Sequence, residues 1–252
     1  MKKITMFNIK GGVGKTTSTL NIGAILANQN KKVLIVDLDP QANITMAFKQ
    51  YDIDDLSISD LLLYKEKNPE VVIKNTDYKN IDIIPSNINL IPTENEILRD
   101  ITTLQQGRLK KVLSLLEDKY DYCLIDCPTY PNMLTINALA ASDMVMVPIK
   151  IDKYSLDGLE YLTDYIENIR YEFNPNLKFG GCFITMYSST NVNKQTKEAL
   201  SEMLGDLLYN TVIRQNIVVV ESTFTQKPLI DYKKKSNATI DYIELVKEAF
   251  NE

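Results

Sequence analysis

The sequence predicts an α/β fold, a doubly wound and mostly parallel β-sheet flanked by helices, on two observations. Short β-branched runs alternate with longer helical stretches along the chain, as parallel strands joined by crossover helices require. No Gly/Ser/Pro-rich linker, low-complexity tract or internal repeat interrupts the 252 residues, so one domain spanning 1–252 is expected. In such sheets ligands bind beyond the carboxyl ends of the strands. Residues just after Ile9, Asp37, Asp126 and Pro148 should therefore converge on one crevice.

The elements follow in order. A first apolar run, Ile4–Ile9, stops at a glycine cluster, and a helical stretch, Thr16–Asn28, leaves it. The second strand, Lys32–Asp37, ends in acids, and Gln41–Phe48 and Ser59–Tyr64 read as short helices. The segment from Tyr51 to Lys79 is more polar and irregular than the rest. Ile81–Pro85 is the third strand, and the spacing predicts a long helix over Glu94–Leu116. Strands at Tyr122–Asp126, Met144–Pro148, Phe179–Met186 and Leu208–Ile213 complete the sheet. Helices at Met133–Ala140, Ser155–Tyr171, Lys194–Leu204 and Thr239–Phe250 cover it.

Composition excludes whole chemistries. With no histidine, Ser-His-Asp and Cys-His mechanisms and histidine metal sites are ruled out. Cys123, Cys127 and Cys182 are odd in number and sit in apolar strand-like segments, as expected of buried, reduced thiols. A net charge of −5 argues against coating nucleic acid over the whole surface, while a local basic patch remains compatible. No stretch has the roughly 18 apolar residues of a membrane helix. The N-terminus lacks a signal-peptide pattern, so a cytoplasmic location is expected.

After the first strand comes Lys10-Gly11-Gly12-Val13-Gly14-Lys15-Thr16-Thr17, running directly into a helix. This is a phosphate-binding loop in its proper context, which makes the fold one of P-loop NTPase type. Glycines let the backbone turn tightly and aim successive N–H groups at phosphate oxygens, and the helix N-terminus adds its dipole. Lys15 reaches the β and γ phosphates, and the Thr16 hydroxyl is placed for Mg²⁺. Where the general pattern wants glycine at position 9, the chain has Ile9 followed by a second lysine, Lys10.

With that lysine the sequence resembles the deviant-loop ATPases of the ParA/MinD superfamily. The resemblance implies that Lys10 reaches across an ATP-dependent homodimer to the partner's phosphates and stabilises transition-state charge, as an arginine finger does. It also implies ATP and Mg²⁺ as ligands of the loop residues Lys10 to Thr17.

The second strand ends in Val36-Asp37-Leu38-Asp39-Pro40-Gln41-Ala42-Asn43. Alternation puts Asp37 and Asp39 on one face beside the phosphate crevice, where paired carboxylates hold metal-bound water or orient an attacking one. In the resembling family the second of these acids orients the lytic water. That role falls on Asp39, with Asp37 near the magnesium shell. The fourth strand, Tyr122-Cys123-Leu124-Ile125-Asp126-Cys127-Pro128, closes an apolar run with one acid, as a Walker B strand does when its Asp meets Mg²⁺ through water. The run from Leu134 to Asp143, and Thr185-Met186-Tyr187, are also similar to the ParA/Soj chromosome and plasmid partition ATPases. The likeness spans Lys3 to Phe250 and weakens toward the C-terminus.

The chain departs from that family in places. The proline and arginines usual after the last strand are replaced in Arg214-Gln215-Asn216-Ile217-Val218, and no cation stands in Tyr187-Ser188-Ser189-Thr190-Asn191. The resemblance implies that Arg214 and Asn216 lie near the adenine or sugar, with Met186 also at the nucleotide. In the family those arginines bind DNA non-specifically, and Lys233-Lys234-Lys235 is the candidate replacement, able to neutralise phosphates of double-stranded DNA. Tyr130 and Tyr154 are too ordinary to read as base-stacking groups.

The C-terminal helix is acidic, with Asp241, Glu244, Glu248 and Glu252 against Lys247, unlike the basic membrane-binding helix of MinD-like members. Its stripe Ile240, Ile243, Val246 and Phe250 is expected to pack on the domain body, so no membrane partner is expected. No helix-turn-helix extension is read either. The expected function is a dimerising Mg-ATP hydrolase of ParA/Soj type acting in DNA partition, nucleoid-associated when bound to DNA and reset by a ParB-like stimulating protein. The alternative is a cargo-positioning or regulatory switch that does not bind DNA. A metal-cluster protein would bridge its cluster with paired cysteines, and Cys123 and Cys127 lack C-x-x-C spacing. A tyrosine-kinase relative would carry a C-terminal tyrosine cluster, which Tyr232 and Tyr242 do not make.

Overall fold

The computed structural model describes residues 1–152 and 157–250. Tyr154, the start of the helix expected from Ser155, and Glu252 lie outside them. Among the described residues the order is β1 (Lys2–Met6), α1 (Lys15–Asn28), β2 (Val33–Asp37), α2 (Asn43–Ala47), α3 (Ile58–Leu62), β3 (Lys74–Asn75), β4 (Ile81–Ile84), α4 (Leu90–Arg99), α5 (Arg108–Ser114) and β5 (Tyr122–Asp126). Then come α6 (Met133–Ala141), β6 (Met144–Lys150), α7 (Asp157–Glu172), β7 (Lys178–Tyr187), α8 (Asn191–Leu204), β8 (Leu208–Arg214), α9 (Ile217–Phe224), α10 (Leu229–Tyr232) and α11 (Asn237–Phe250).

The sheet order is β3-β4-β2-β5-β1-β6-β7-β8. All pairs are parallel except β3 with β4. Strand alternation splits the core in two. Leu34, Val36, Cys123 and Ile125 face the layer of α3 to α8, and Val33, Ile35, Tyr122 and Leu124 face that of α1, α2 and α9 to α11. Because β1 lies between β5 and β6, while the chain winds outward from it both ways, the carboxyl ends of β1, β2 and β5 open onto a common crevice.

Several expectations are corrected. The first strand ends at Met6 rather than Ile9, because Asn8 turns its side-chain amide to the Pro148 carbonyl and accepts the Lys10 N–H, which starts the loop early. The helix expected over Glu94–Leu116 is two helices. Asp100 accepts the N–H and hydroxyl of Thr102, the hydroxyl of Thr103 and the guanidinium of Arg108, an Asx-type cluster that stops α4. The second helix starts at Asn43 rather than Gln41, since Ala42 sits at φ 52 and the Gln41 N–H is taken by Asp39.

The antiparallel edge strand β3 hides in the irregular segment, and α9 and α10 fall where no helix was read. The β-branched run Ile217-Val218-Val219-Val220 has strand composition; Asn216 makes it a helix by accepting the Val218 N–H as N-cap. In α11 the buried face is Ala238, Tyr242, Leu245, Val246 and Phe250, with Ile240 exposed. The expected stripe is therefore displaced around the helix, because Ala238 and Tyr242 pack against α1. No helix among the described residues is long and apolar enough to cross a membrane.

Candidate functional site

The phosphate loop joins β1 to α1. Gly12 and Gly14 adopt φ 69 and 91, left-handed values that L side chains resist, and Gly14 stands immediately before Lys15 at the start of α1. The Thr185 hydroxyl of β7 donates to the Val13 carbonyl at 2.8 Å and pins the loop to the sheet. Lys15 is 7% exposed, and its Nζ donates to the carbonyls of Asn8 at 3.0 Å and Lys10 at 3.2 Å. Burial lowers its pKa, opposed chiefly by the Asp126 charge.

Two acids stand opposite each other in the central strands. Asp37 of β2 and Asp126 of β5 are register partners, and both are fully buried. Burial pushes Asp37 up to about 7 and Asp126 well above the usual carboxylate range, each raised further by a neighbouring acid. The two differ in how their oxygens are used. Asp37 Oδ1 accepts the Asp39 N–H at 3.0 Å, and Oδ2 accepts the Thr45 N–H and hydroxyl at 3.0 and 2.6 Å. Asp126 Oδ2 is buried with no hydrogen-bond partner, and Oδ1 is 3.5 Å from the Thr19 hydroxyl. Thr16 also reaches the Asp126 carboxylate with its side chain.

That orphaned oxygen tests the expected magnesium. A buried carboxylate oxygen with no donor carries a desolvation penalty that a cation or its water would relieve. Thr16, Asp126 and the phosphate loop supply hard oxygen and anion-binding donors, which suits Mg²⁺, an ion that keeps several waters and needs few protein ligands. No group of three or more acids or cysteines arranged for a metal exists among the described residues. The residues fit the ion.

Asp39 stands just past β2, so it shares a cleft with Asp37's strand end but not a strand face. Its Oδ1 accepts the Gln41 N–H at 2.9 Å. A cleft of about 280 Å³ is lined by Gly12, Lys15, Thr16, Asp39, Asn43 and Thr129, among others. Beside it lies a mainly apolar cavity of about 270 Å³, lined by Gly14, Thr17, Met186, Arg214, Asn216 and Tyr242, among others. Met186, at φ 52, lines both.

The structure thus brings Gly12 to Thr17, Asp39, Met186, Arg214 and Asn216 to these adjoining hollows, with Asp126 beneath them. It does not bring all the expected residues there. Lys10 turns away, its Nζ 3.0 Å from Asp152 Oδ1. Asp37 is sealed below the cleft and grips Asp39 and Thr45. The Arg214 guanidinium is committed to Asp241 through Nε and Nη2, so what it presents to the cavity is its stem and the outer face of the pair. Asn216 spends its side-chain oxygen on the α9 N-cap. Lys233, Lys234 and Lys235 are exposed between α10 and α11 and line neither hollow. Sequence reasoning missed Thr129, Thr185 and Tyr242. Thr129 had a signal, standing two residues after Cys127 in the strand-end motif; Tyr242 had none, because its place depends on how α11 packs on α1.

Comparison with known proteins gives a consistent answer. An AAA-domain family matches residues 1–179. The sporulation initiation inhibitor protein Soj of Bacillus subtilis is 37% identical over 250 residues, covering 98% of this chain and 97% of Soj. Among solved structures, a putative plasmid partition protein of Borrelia burgdorferi bound to AMPPNP superposes with a TM-score of 0.82 at 26% identity, covering 99% of this chain and 98% of that one. The cobyrinic acid a,c-diamide synthase of Mycobacterium smegmatis, with bound ADP and magnesium, superposes with a TM-score of 0.84 at 28% identity, covering 98% and 93%.

Proposed function

This chain belongs to the ParA/Soj family of ATPases, and from that premise we propose that it is a Mg-ATP hydrolase acting in DNA partition. ATP is bound as an ATP-dependent homodimer that holds double-stranded DNA non-specifically and is reset by a ParB-like stimulating protein. The observation that carries the reading is the unpartnered Asp126 Oδ2 buried beneath the phosphate loop, with Lys15 and Asp39 beside it.

The geometry supports the following roles. The N–H groups of Gly12 to Thr17 and the N-terminus of α1 hold the phosphates. Lys15 offsets charge on the β and γ oxygens as the bond to the leaving ADP lengthens. Thr16 and Asp126 would hold Mg²⁺, which would supply neutralisation of phosphate charge there. Asp39 aims the attacking water in line with that bond; positioning and charge are nearly all that phosphoryl transfer asks of a protein. The apolar cavity formed by Met186, Arg214, Asn216 and Tyr242 takes the adenosine. Asp37 serves by holding Asp39 rather than by ligating the metal. Lys10, swung off Asp152, reaches a partner's phosphates and couples hydrolysis to association.

The DNA footprint rests on Lys233, Lys234 and Lys235. A second reading, a positioning switch that does not bind DNA, is favoured by one observation: Arg214, which stands in the loop where the family's arginines cluster, is held by Asp241. The two readings separate on the Asp39→Ala protein with random-sequence duplex DNA, in ATP and in ADP, across a salt titration. ATP-dependent binding that falls steeply with salt and is lost in the triple Lys233→Ala, Lys234→Ala, Lys235→Ala variant supports partition. ATP-dependent dimers without DNA binding at low salt support the switch.

A further inference from the structure

Asp37, Asp39, Thr45 and Ser86 close a ring of hydrogen bonds. Asp39 donates its N–H to Asp37 Oδ1 at 3.0 Å. The Asp39 carbonyl accepts the Ser86 hydroxyl at 2.8 Å. Ser86 N–H donates to Thr45 Oγ1 at 2.9 Å, and Thr45 Oγ1 donates to Asp37 Oδ2 at 2.6 Å. A threonine hydroxyl has one hydrogen to give, and here it goes to Asp37 while a lone pair takes Ser86. The ring draws on the end of β2, on α2 and on the segment after β4, three separate parts of the chain. Thr45 and Ser86 are 0% and 1% exposed, so water does not compete for these bonds.

The ring grips the Asp39 peptide on both sides. Its N–H is fixed by a carboxylate and its carbonyl by Ser86, while Asp39 Oδ1 is fixed by the Gln41 N–H. Among the described residues no donor reaches Asp39 Oδ2, and Asp39 lines the cleft over the phosphate loop. Asp39 sits just past the strand, where its carbonyl also accepts the Ala42 N–H at 2.8 Å, so its aim depends on this ring together with the turn that follows. Of the ring members, Asp37 and Thr45 belong to the motif around the second strand. Ser86 lies more than 40 positions away in sequence, and its hydroxyl joins the local Ala42 N–H on the Asp39 carbonyl.

We infer that Ser86 is a positioning residue for hydrolysis, acting through the Asp39 main chain to hold the Asp39 carboxylate on the attacking water. This rests on the reading of Asp39 proposed above. Displacement of a reacting group by about 1 Å costs on the order of 100-fold in rate, and loss of one of the four restraints on Asp39 costs part of that. Ser86 touches neither the phosphate loop nor the adenosine cavity, so the loss falls on turnover rather than on binding.

The test is single-turnover and steady-state ATP hydrolysis by the full chain with Ser86→Ala, Ser86→Thr and, as a buried serine remote from the cleft, Ser142→Ala. Ser86→Ala should lower kcat about 10-fold with KM for ATP changed less than about twofold. Ser86→Thr, which keeps the hydroxyl, should recover most of the rate, and Ser142→Ala should hydrolyse normally. All are compared well below their thermal midpoints, with ATP binding by a fluorescent analogue as the check of the folded site. Asp39→Ala is run alongside: if it hydrolyses normally, the underlying reading of Asp39 fails. If Asp39→Ala is inactive while Ser86→Ala keeps full kcat, or loses affinity instead of rate, the role of Ser86 alone is overturned. An equal loss in Ser86→Ala and Ser142→Ala would overturn it too, as a mere stability effect.

Discussion

Lys10 Nζ lies 3.0 Å from Asp152 Oδ1 of its own chain, and this turns the first lysine of the loop away from the cleft that Lys15 enters. The side chains of the pair are 26% and 43% exposed, so the contact contributes at most about 1 kcal/mol and is open to exchange. Phosphate oxygens of a second subunit are stronger acceptors for an ammonium than one solvated carboxylate.

Lys10→Ala should accordingly bind ATP within about threefold of the parent protein but fail to associate on adding ATP. Sedimentation velocity with a slowly hydrolysed analogue reads this directly. A stable ATP dimer of the variant would refute the cross-subunit role.

Lys15→Ala acts differently, because Lys15 is buried and faces Asp126. Removing its charge leaves both the phosphates and the carboxylate without their cation, at a cost of about 3 kcal/mol, roughly a 100-fold loss in affinity. Titration with a fluorescent ATP analogue measures it, and retained tight binding would sink the loop assignment.

Arg214 meets Asp241 through its main-chain N–H as well as through Nε and Nη2. A proline at this position could offer neither, so the arginine ties the end of β8 to α11 and steadies the wall of the apolar cavity. Asp241 is only 10% exposed, whereas Arg214 is 45% exposed. Truncating the arginine therefore strands a nearly buried carboxylate, while truncating the aspartate frees a cation that water can reach. Arg214→Ala should lower the thermal midpoint more than Asp241→Ala, and both should weaken ATP binding. A double-mutant cycle giving no coupling would show that the contact holds nothing.

The sheet and the phosphate loop were legible because their signals are local. A β-branched run, a glycine turn and a lysine at a helix start each dictate structure within a few residues. The acids at Asp37, Asp39 and Asp126 were found because strand ends are easy to place. What strand position could not show is how their oxygens are used: Asp37, expected near the magnesium shell, spends its own on Asp39 and Thr45, while Asp126 Oδ2 has no partner among the described residues. Ser86 was invisible for the same reason, its partner being brought to it only by the pairing of β2 with β4. The break between α4 and α5 was in the sequence as Asp100-Ile101-Thr102-Thr103, but helical periodicity on either side masked it. Val218 to Val220 carry no helical signal of their own, and Asn216 at the cap decided the outcome.

That break carries a testable load. Arg108 is 2% exposed and gives its guanidinium to the Leu62 carbonyl, Asp100 and Thr103. Asp100→Ala leaves a buried cation short of its carboxylate, and breaking such a pair from one side is worse than replacing the charge altogether. Thermal unfolding should place Asp100→Ala below Arg108→Met. The reverse order would mean that packing by the arginine stem, rather than its charge, sets the cost.

The three thiols give a last check that reaches the site. Cys123, Cys127 and Cys182 are each no more than 1% exposed and unbridged. Burial pushes Cys182 up to about 12 and raises Cys123 and Cys127 well above the usual thiol range, Cys127 further raised by the neighbouring Asp126 charge. Since only the thiolate attacks a disulfide reagent, labelling of the folded protein at pH 8 has to await local opening. Three thiols per chain should react in guanidinium, and essentially none within minutes in the native protein. Cys127 follows Asp126 directly, so a ligand that closes on Asp126 suppresses the opening that exposes it. Mg-ATP should slow the labelling of Cys127, read by peptide mass spectrometry, more than that of Cys182. Equal slowing at both would point to global stabilisation, and no slowing at either would count against nucleotide binding over Asp126.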